Sequence, residues 1–187
     1  MPASFHPWPL ERYRPLLRLQ VRQMQLDPRF QRRFDSSDLV QSALAKAVER
    51  RDQFRGATEA ELVKWLLEIL GHIVVDEVRK ATAQKRDIAL EQSLQALLAE
   101  STALWQTALA DRQSSPAAQT ERNEQWLRLA GAMEELPDDQ RDVILLRDLQ
   151  GTSVADIAAR LGRTEKSVSG LYLRGRKKLR ALLNHEP

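Results

Sequence analysis

The chain contains no cysteine. Disulfides and thiolate metal sites are therefore excluded, which fits a reducing compartment. No apolar run approaches the roughly 20 residues needed to span a bilayer, so no membrane insertion is expected. The opening MPASFHPWPL lacks the basic-then-apolar layout of a signal peptide, and a cytoplasmic location is expected. Alternating β-branched runs bounded by turns, the mark of strands, are also missing. There is no glycine-rich phosphate loop, no zinc helix motif and no cysteine nucleophile. Acidic pairs such as Glu134-Glu135 and Asp138-Asp139 stand at helix ends, where solvation or dipole complementation explains them. With no catalytic constellation in sight, neither enzymatic activity nor a cofactor is expected.

What is present points to helices. A length of 187 residues, 42% hydrophobic and 29% charged, suits a soluble helix-rich protein of one ordinary or two small domains. The net charge is only +3, but its placement is uneven. Arg12, Arg14, Arg18, Arg22, Arg29, Arg32 and Arg33 make the beginning basic. The stretch from Asp87 to Asp148 is rich in acids, and the end is basic again. Such asymmetry fits separate nucleic-acid contacts at the two ends.

Apolar periodicity predicts an all-α fold. A first helix is expected from near Pro9 to Leu26, broken by Asp27-Pro28. Asp35-Ser36-Ser37-Asp38 reads as a cap opening a second helix, with Leu39, Val40, Ala43, Leu44, Ala47 and Val48 inward. After the connection Phe54-Arg55-Gly56-Ala57, Thr58 and Glu61 form a capping box. The long helix that follows runs toward Lys85, about 28 residues and 40 Å, with Leu62, Trp65, Leu66, Ile69, Ile73 and Val74 as its stripe. Leu90, Leu94, Leu97 and Leu98 suggest a weak helix before the linker-like ADRQSSPAAQT. Ser115-Pro116 can start the next helix, with Trp126, Leu127, Leu129, Ala130 and Met133 on its buried side. Leu136-Pro137 separates it from a helix over about 138–150. Two compact helical domains are thus expected, 9–88 and 117–184, joined by a flexible linker over 89–116.

The run GTSVADIAARLGRTEKSVSGLYLRGRKKLR, residues 151–180, carries the most information. Ser153 can cap a short helix with Asp156, and Ile157, Ala158 and Leu161 give that helix an apolar face. Gly162 can take the left-handed turn, and Thr164 can cap a second helix. Val168, Leu171, Tyr172, Leu179, Leu182 and Leu183 recur there at helical spacing, with basic residues mostly between them. This is the pattern of a helix-turn-helix whose second helix enters the DNA major groove.

The run from Met133 to Arg180 resembles region 4 of bacterial sigma factors, and the run from Phe34 to Lys80 resembles their region 2. The two stand in order with a short linker between them, a layout similar to the extracytoplasmic-function group. The resemblance implies an alternative sigma factor that binds core RNA polymerase, through the β′ clamp and the β subunit, and directs it to promoter DNA. An anti-sigma factor is a further possible partner of such a protein. On the second helix, Asp38, Leu39, Val40 and Gln41 match the positions that dock on the clamp, while core packing is an equal account of Leu39 and Val40. Phe54, Arg55 and Thr58 match the part of region 2 that holds unstacked bases of the downstream element. The register of Trp65 favours the core over a base. His72, Asp76, Arg79 and Lys80 match the helix surface that meets that element, and Lys85 and Arg86 match phosphate contacts. His72 and Asp76 have metal-pair spacing but no third ligand, so no metal is expected. In region 4, Thr164, Glu165, Lys166, Ser167, Ser169 and Gly170 match the end of the recognition helix that reads bases of the upstream element. Arg163, Arg174, Arg176, Lys177 and Lys178 match phosphate contacts. Gly170 and Gly175 serve either close approach or no purpose, since each costs about 1 kcal/mol inside a helix. The competing reading is a helix-turn-helix regulator acting without polymerase, which leaves residues 35–88 without a role.

Overall fold

A computed structural model of the chain describes residues 9–25, 35–81, 88–109 and 116–185. Every regular element among them is helical, in agreement with the all-α expectation. The chain divides into two compact units, Met1–Leu127 and Arg128–Pro187.

In the first unit a short 3-10 turn, Leu10–Tyr13, leads into α1, Arg14–Gln25. The helix α2 spans Ser36–Glu49, α3 spans Glu59–Ala81 and α4 spans Ile88–Leu109. Asp35 caps α2 by accepting from the amides of Ser37, at 2.7 Å, and Asp38, at 3.4 Å. The Thr58–Glu61 capping box forms as the sequence predicts, with reciprocal bonds of 3.0 and 3.2 Å. The phenol of Tyr13, fully buried, donates to Glu59 at 2.7 Å and ties the N-terminal turn to the start of α3.

The helix α3 is central, packing against α2 and α4. A helix flanked on two sides buries a wider arc than the single stripe of a surface helix. Val63, Leu67, Leu70 and Val78 accordingly join Leu62, Leu66, Ile69 and Val74 in the core. Trp65 and Ile73 sit half-buried at the edge of that arc. Full burial of each leucine contributes about 1.5–3 kcal/mol. The described part of α3 ends at Ala81, and the expected extension to Lys85 lies outside the described residues.

Two expectations change here. Val48, expected inward on α2, is 62% exposed, because α2 turns only Leu39, Val40, Ala43, Leu44 and Ala47 to the core. The segment 89–116, expected as a linker with a weak helix over 90–98, contains most of α4, so that helix forms and runs on to Leu109. Its small polar residues signal a break, but leucines at helical spacing supply an inward edge. Leu94 is fully buried, and Leu98 stands 3.5 Å from where a Cβ on Gly71 would be.

The helix α5, Pro116–Glu134, opens on proline as expected, since the missing amide costs nothing in a first turn. The boundary between the units falls within it. The second unit continues with α6, Asp138–Ile144, a π turn over Leu145–Leu149, α7, Val154–Leu161, and α8, Glu165–His185. A continuous α-helix over 138–150 is expected, yet Gln150 N–H reaches the carbonyl of Leu145 at 3.2 Å and Thr152 N–H that of Leu146 at 2.9 Å. Val143, Ile144, Leu145 and Leu146 are all buried in succession. A 3.6-residue turn cannot bring four consecutive side chains to one face, and the wider π turn keeps Leu145 and Leu146 inward.

Arg141 closes the end of α5. Its guanidinium donates to the carbonyls of Met133, Glu134 and Leu136 at 3.0, 3.3 and 2.9 Å. The last turn of a helix leaves such carbonyls short of intrahelical donors, and Met133 also accepts from the Leu136 amide at 3.3 Å.

Candidate nucleic-acid interface

The turn between α7 and α8 is built by local chemistry. Ser153 caps α7, accepting from the Asp156 amide at 3.1 Å while its hydroxyl donates to the Asp156 carboxylate at 2.6 Å. Gly162 ends α7 in the left-handed region, φ 62°, where a side chain would be strained. Thr164 then caps α8 through the Ser167 amide at 3.2 Å. Ile157, Ala158, Val168 and Leu171 seal the hairpin, and α8 packs against both α6 and α7.

That packing turns one side of α8 outward. Glu165, Lys166, Ser169, Leu173, Arg174, Arg176, Lys177 and Lys178 are exposed, and Ser167 and Gly170 are intermediate. The expected base-reading residues thus start one continuous surface at the N-terminal end of α8.

The cations expected to meet phosphates divide into two sets. Arg163 is ion-paired with Asp139. Lys178 donates to the carbonyl of Glu135 at 3.0 Å. Arg176 donates to the Tyr172 hydroxyl at 2.9 Å, and that hydroxyl donates to Asp148 at 2.7 Å. The bond to Tyr172 raises the pKa of Arg176, and the guanidinium of Arg147 lies 4.9 Å from the same ring. Lys166, Arg174 and Lys177 make no hydrogen bond or ion pair among the described residues, so their charges remain available to an anion. The Arg174 guanidinium lies back over Gly170, with Nη1 3.2 Å from where a Cβ on that glycine would be. This places the charge nearer the base-reading end than a phosphate-only role requires.

In the first unit, Phe54 is less free than its expected stacking role suggests. Its ring folds over Gly56 and meets Trp65 at a centroid distance of 5.3 Å, tilted by 42°. Arg55 is exposed and bonds to the carbonyl of Asp52. The Thr58 hydroxyl is engaged by the capping box, accepting from the Glu61 amide and donating to its carboxylate at 3.0 Å. Bonds from the amides of Ala57 and Thr58, and from that hydroxyl, lower the pKa of Glu61. Phe54 and Thr58 thus shape the loop first, while the exposed Arg55 side chain bonds only to the backbone of Asp52 among the described residues.

His72, Asp76 and Arg79 come together in a groove of about 510 Å³ between α3 and α4, lined also by Gly71, Val75 and Leu98. Asp76 and Arg79 are 3.9 Å apart, and Lys80 pairs with Glu77 at 2.6 Å, which raises the pKa of Lys80. Among the described residues no third metal ligand joins His72 and Asp76. Lys85 and Arg86 lie outside the described residues.

On α2 the expected docking set splits. Leu39 and Val40 are buried, 4% and 0% exposed, and belong to the core. Asp38 and Gln41 are exposed, with Gln41 accepting from Arg14 at 2.9 Å. Ala45 and Val48 continue their face at helical spacing. An apolar Val48 beside Asp38 and Gln41 could not be told from core by periodicity, since α2 carries apolar residues on two sides. Helical periodicity likewise assigns no role to Leu173, an exposed residue of α8. It also left Gly175 open, where a Cβ would stand 2.9 Å from Ile144 Cδ1 and 3.1 Å from Gln140 Cβ, a close approach of α6 and α8.

Residues 126–179, which take in α7, the turn and α8 as far as Leu179, match the family described as Sigma-70, region 4. The chain is 28% identical over 146 residues to the ECF RNA polymerase sigma factor SigX of Bacillus subtilis, covering 78% of this chain and 69% of that one. It is 29% identical over 151 residues to the ECF RNA polymerase sigma factor SigM of Mycobacterium tuberculosis, covering 81% of this chain and 65% of that one. It is also similar to a sigma factor RpoE solved in complex with the anti-sigma factor NepR from Bartonella quintana, at 23% identity and a TM-score of 0.34, covering 95% of this chain and 96% of that one. Among the described residues no helix is long and apolar enough to cross a membrane. Residues 126–179 thus carry a sigma-70 region 4, and most of the chain is similar in sequence to ECF RNA polymerase sigma factors.

Proposed function

We propose that this chain binds core bacterial RNA polymerase as an alternative sigma factor and directs it to a particular set of promoters. The observation that carries the reading is the capped α7–Gly162–α8 hairpin with Lys166, Arg174 and Lys177 uncommitted on its outer face, in a chain that also holds the α2–α3 unit. The second unit takes the duplex upstream element in the major groove, with Lys166, Ser169 and Gly170 toward base edges and Lys177 toward phosphate. The first unit takes the opened downstream element at the 54–58 loop and the outer surface of α3, where Arg55, His72, Asp76 and Arg79 are reachable. Asp38 and Gln41 on α2 serve the polymerase clamp, and Val48 adds apolar area to that contact.

The protein needs no chemistry of its own in this role. Binding one sequence, and its opened form, better than others shifts the polymerase toward those sites and toward the opened state. The location follows the polymerase, in the cytoplasm. A partner that covers these surfaces, such as an anti-sigma factor, would silence it.

Co-purification with core polymerase tests the reading. The full chain is expected to elute with core enzyme on gel filtration, and Asp38→Arg should weaken that complex while the free protein keeps its helical spectrum. Failure of the unaltered chain to bind core enzyme would leave the polymerase-independent regulator in its place.

A further inference from the structure

Leu173 is 68% exposed, one of two large apolar side chains among the described residues that face solvent. It is not at the margin of α8. Lys166, Gly170, Leu173 and Lys177 follow one another at spacings of four, three and four, and Ser169 lies four before Leu173, which places all five on a single helix face. The opposite side of α8 holds Val168, Leu171 and the buried Gly175. Leu173 therefore stands in the middle of the outer face, between two lysines that have no partner in the protein. Burial of such a side chain contributes to binding, and its neighbours state what kind of surface covers it: a polyanion. The apolar group that a polyanionic duplex offers at base level is the C5-methyl of thymine in the major groove. Gly170, one turn before Leu173, carries no side chain that would hold this part of the helix away from the groove.

We propose that Leu173 is a specificity-determining residue of the upstream-element site, packing against a thymine methyl and thereby selecting thymine at one position. The inference rests on the reading of α8 as the recognition helix of a sigma factor. It adds to the lysine and serine positions a reader that makes no hydrogen bond. Its selectivity is against cytosine at the same step, which lacks the methyl and presents an amine instead of an acceptor.

The test removes one methyl at a time. Holoenzyme assembled from core polymerase and the full chain is used to select upstream elements from a random duplex library. Each thymine of the selected element is then replaced by deoxyuridine, which differs only in the methyl, and affinity is measured by competition for the wild type, Leu173→Ala and Leu173→Met. The expected result is one thymine whose replacement weakens wild-type binding about fivefold, the scale of one buried methyl. Leu173→Ala should bind thymine and deoxyuridine there alike, and Leu173→Met should restore part of the difference. An element with no methyl-sensitive thymine, or a sensitivity that Leu173→Ala leaves intact, overturns the proposal while the sigma-factor reading stands. Loss of core-polymerase affinity in Leu173→Ala, with methyl sensitivity unchanged, would make Leu173 a protein contact and also overturns it. If the holoenzyme selects no element at all, the underlying reading fails and this inference fails with it.

Discussion

Gly175 and Ile144 set the distance between α8 and α6: a Cβ on the glycine would lie 2.9 Å from Ile144 Cδ1, with Gln140 Cβ at 3.1 Å and the Gln140 carbonyl oxygen at 3.4 Å. Ile144 is 4% exposed and has little room to yield. Gly175→Ala gains about 1 kcal/mol of helix propensity but overpacks the contact by about 1–3 kcal/mol. A net loss of about 1 kcal/mol is expected in urea unfolding. Gly170→Ala meets only the mobile end of Arg174 and should gain up to about 1 kcal/mol. Opposite signs at the two glycines are the prediction, and equal effects would contradict it.

A second prediction concerns the division of the cations on α8. Lys177→Ala should lower affinity for specific and random duplex alike and reduce the salt slope by about 0.9, the value of one phosphate contact. Lys178→Ala should leave the slope as it was, because Lys178 bonds to the carbonyl of Glu135, and should instead loosen the end of α5. Affinity titrations at several salt concentrations separate the two. A slope change of the same size for both variants would return Lys178 to the phosphate-contacting set.

Lys166→Ala should act differently again. Lys166 stands at the start of α8, exposed and without a partner in the described residues, where major-groove readers place their base contacts. Its loss should reduce discrimination between the upstream element and random duplex, by about tenfold if it makes one good base contact. Competition with both duplexes measures this. Equal loss on each would make Lys166 a phosphate contact.

Much of this arrangement was legible in the residues, and the exceptions have physical causes. Ser153, Gly162 and Thr164 are local devices whose function depends on neighbours two or three residues away, so sequence alone places them correctly. The same holds for Asp35 and for the Thr58–Glu61 box. Tertiary partners decide the rest. Nothing local distinguishes Lys178 from Lys177, since their difference lies in the Glu135 carbonyl at the end of another helix. The π turn over Leu145–Leu149 answers four consecutive buried residues, a demand of the core that α-helical periodicity does not express. The leucine spacing from Leu90 to Leu98 announces α4, but its extent to Leu109 is hidden by the polar stretch that follows.

A pH dependence follows from the loop before α3. Glu61 titrates below its ordinary value of 4.5 because the amides of Ala57 and Thr58 and the Thr58 hydroxyl favour its charged form. A depressed folded pKa means that the charged group stabilises the native loop above the unfolded value. That contribution is lost as pH falls through the folded value. The Ala57 and Thr58 amide resonances should therefore shift together on acidification, with a midpoint below 4.5. In Glu61→Gln that titration should be absent. A midpoint at or above 4.5 would show that the box does not hold the carboxylate.

Run-off transcription from a promoter library by core polymerase, with and without the full chain, decides whether the protein acts as a sigma factor. With the chain present, transcripts should start at a defined distance from two shared sequence elements, and Lys166→Ala should change the preferred upstream element without moving the start sites. Transcripts identical to those of core polymerase alone would mean that the chain is not a sigma factor.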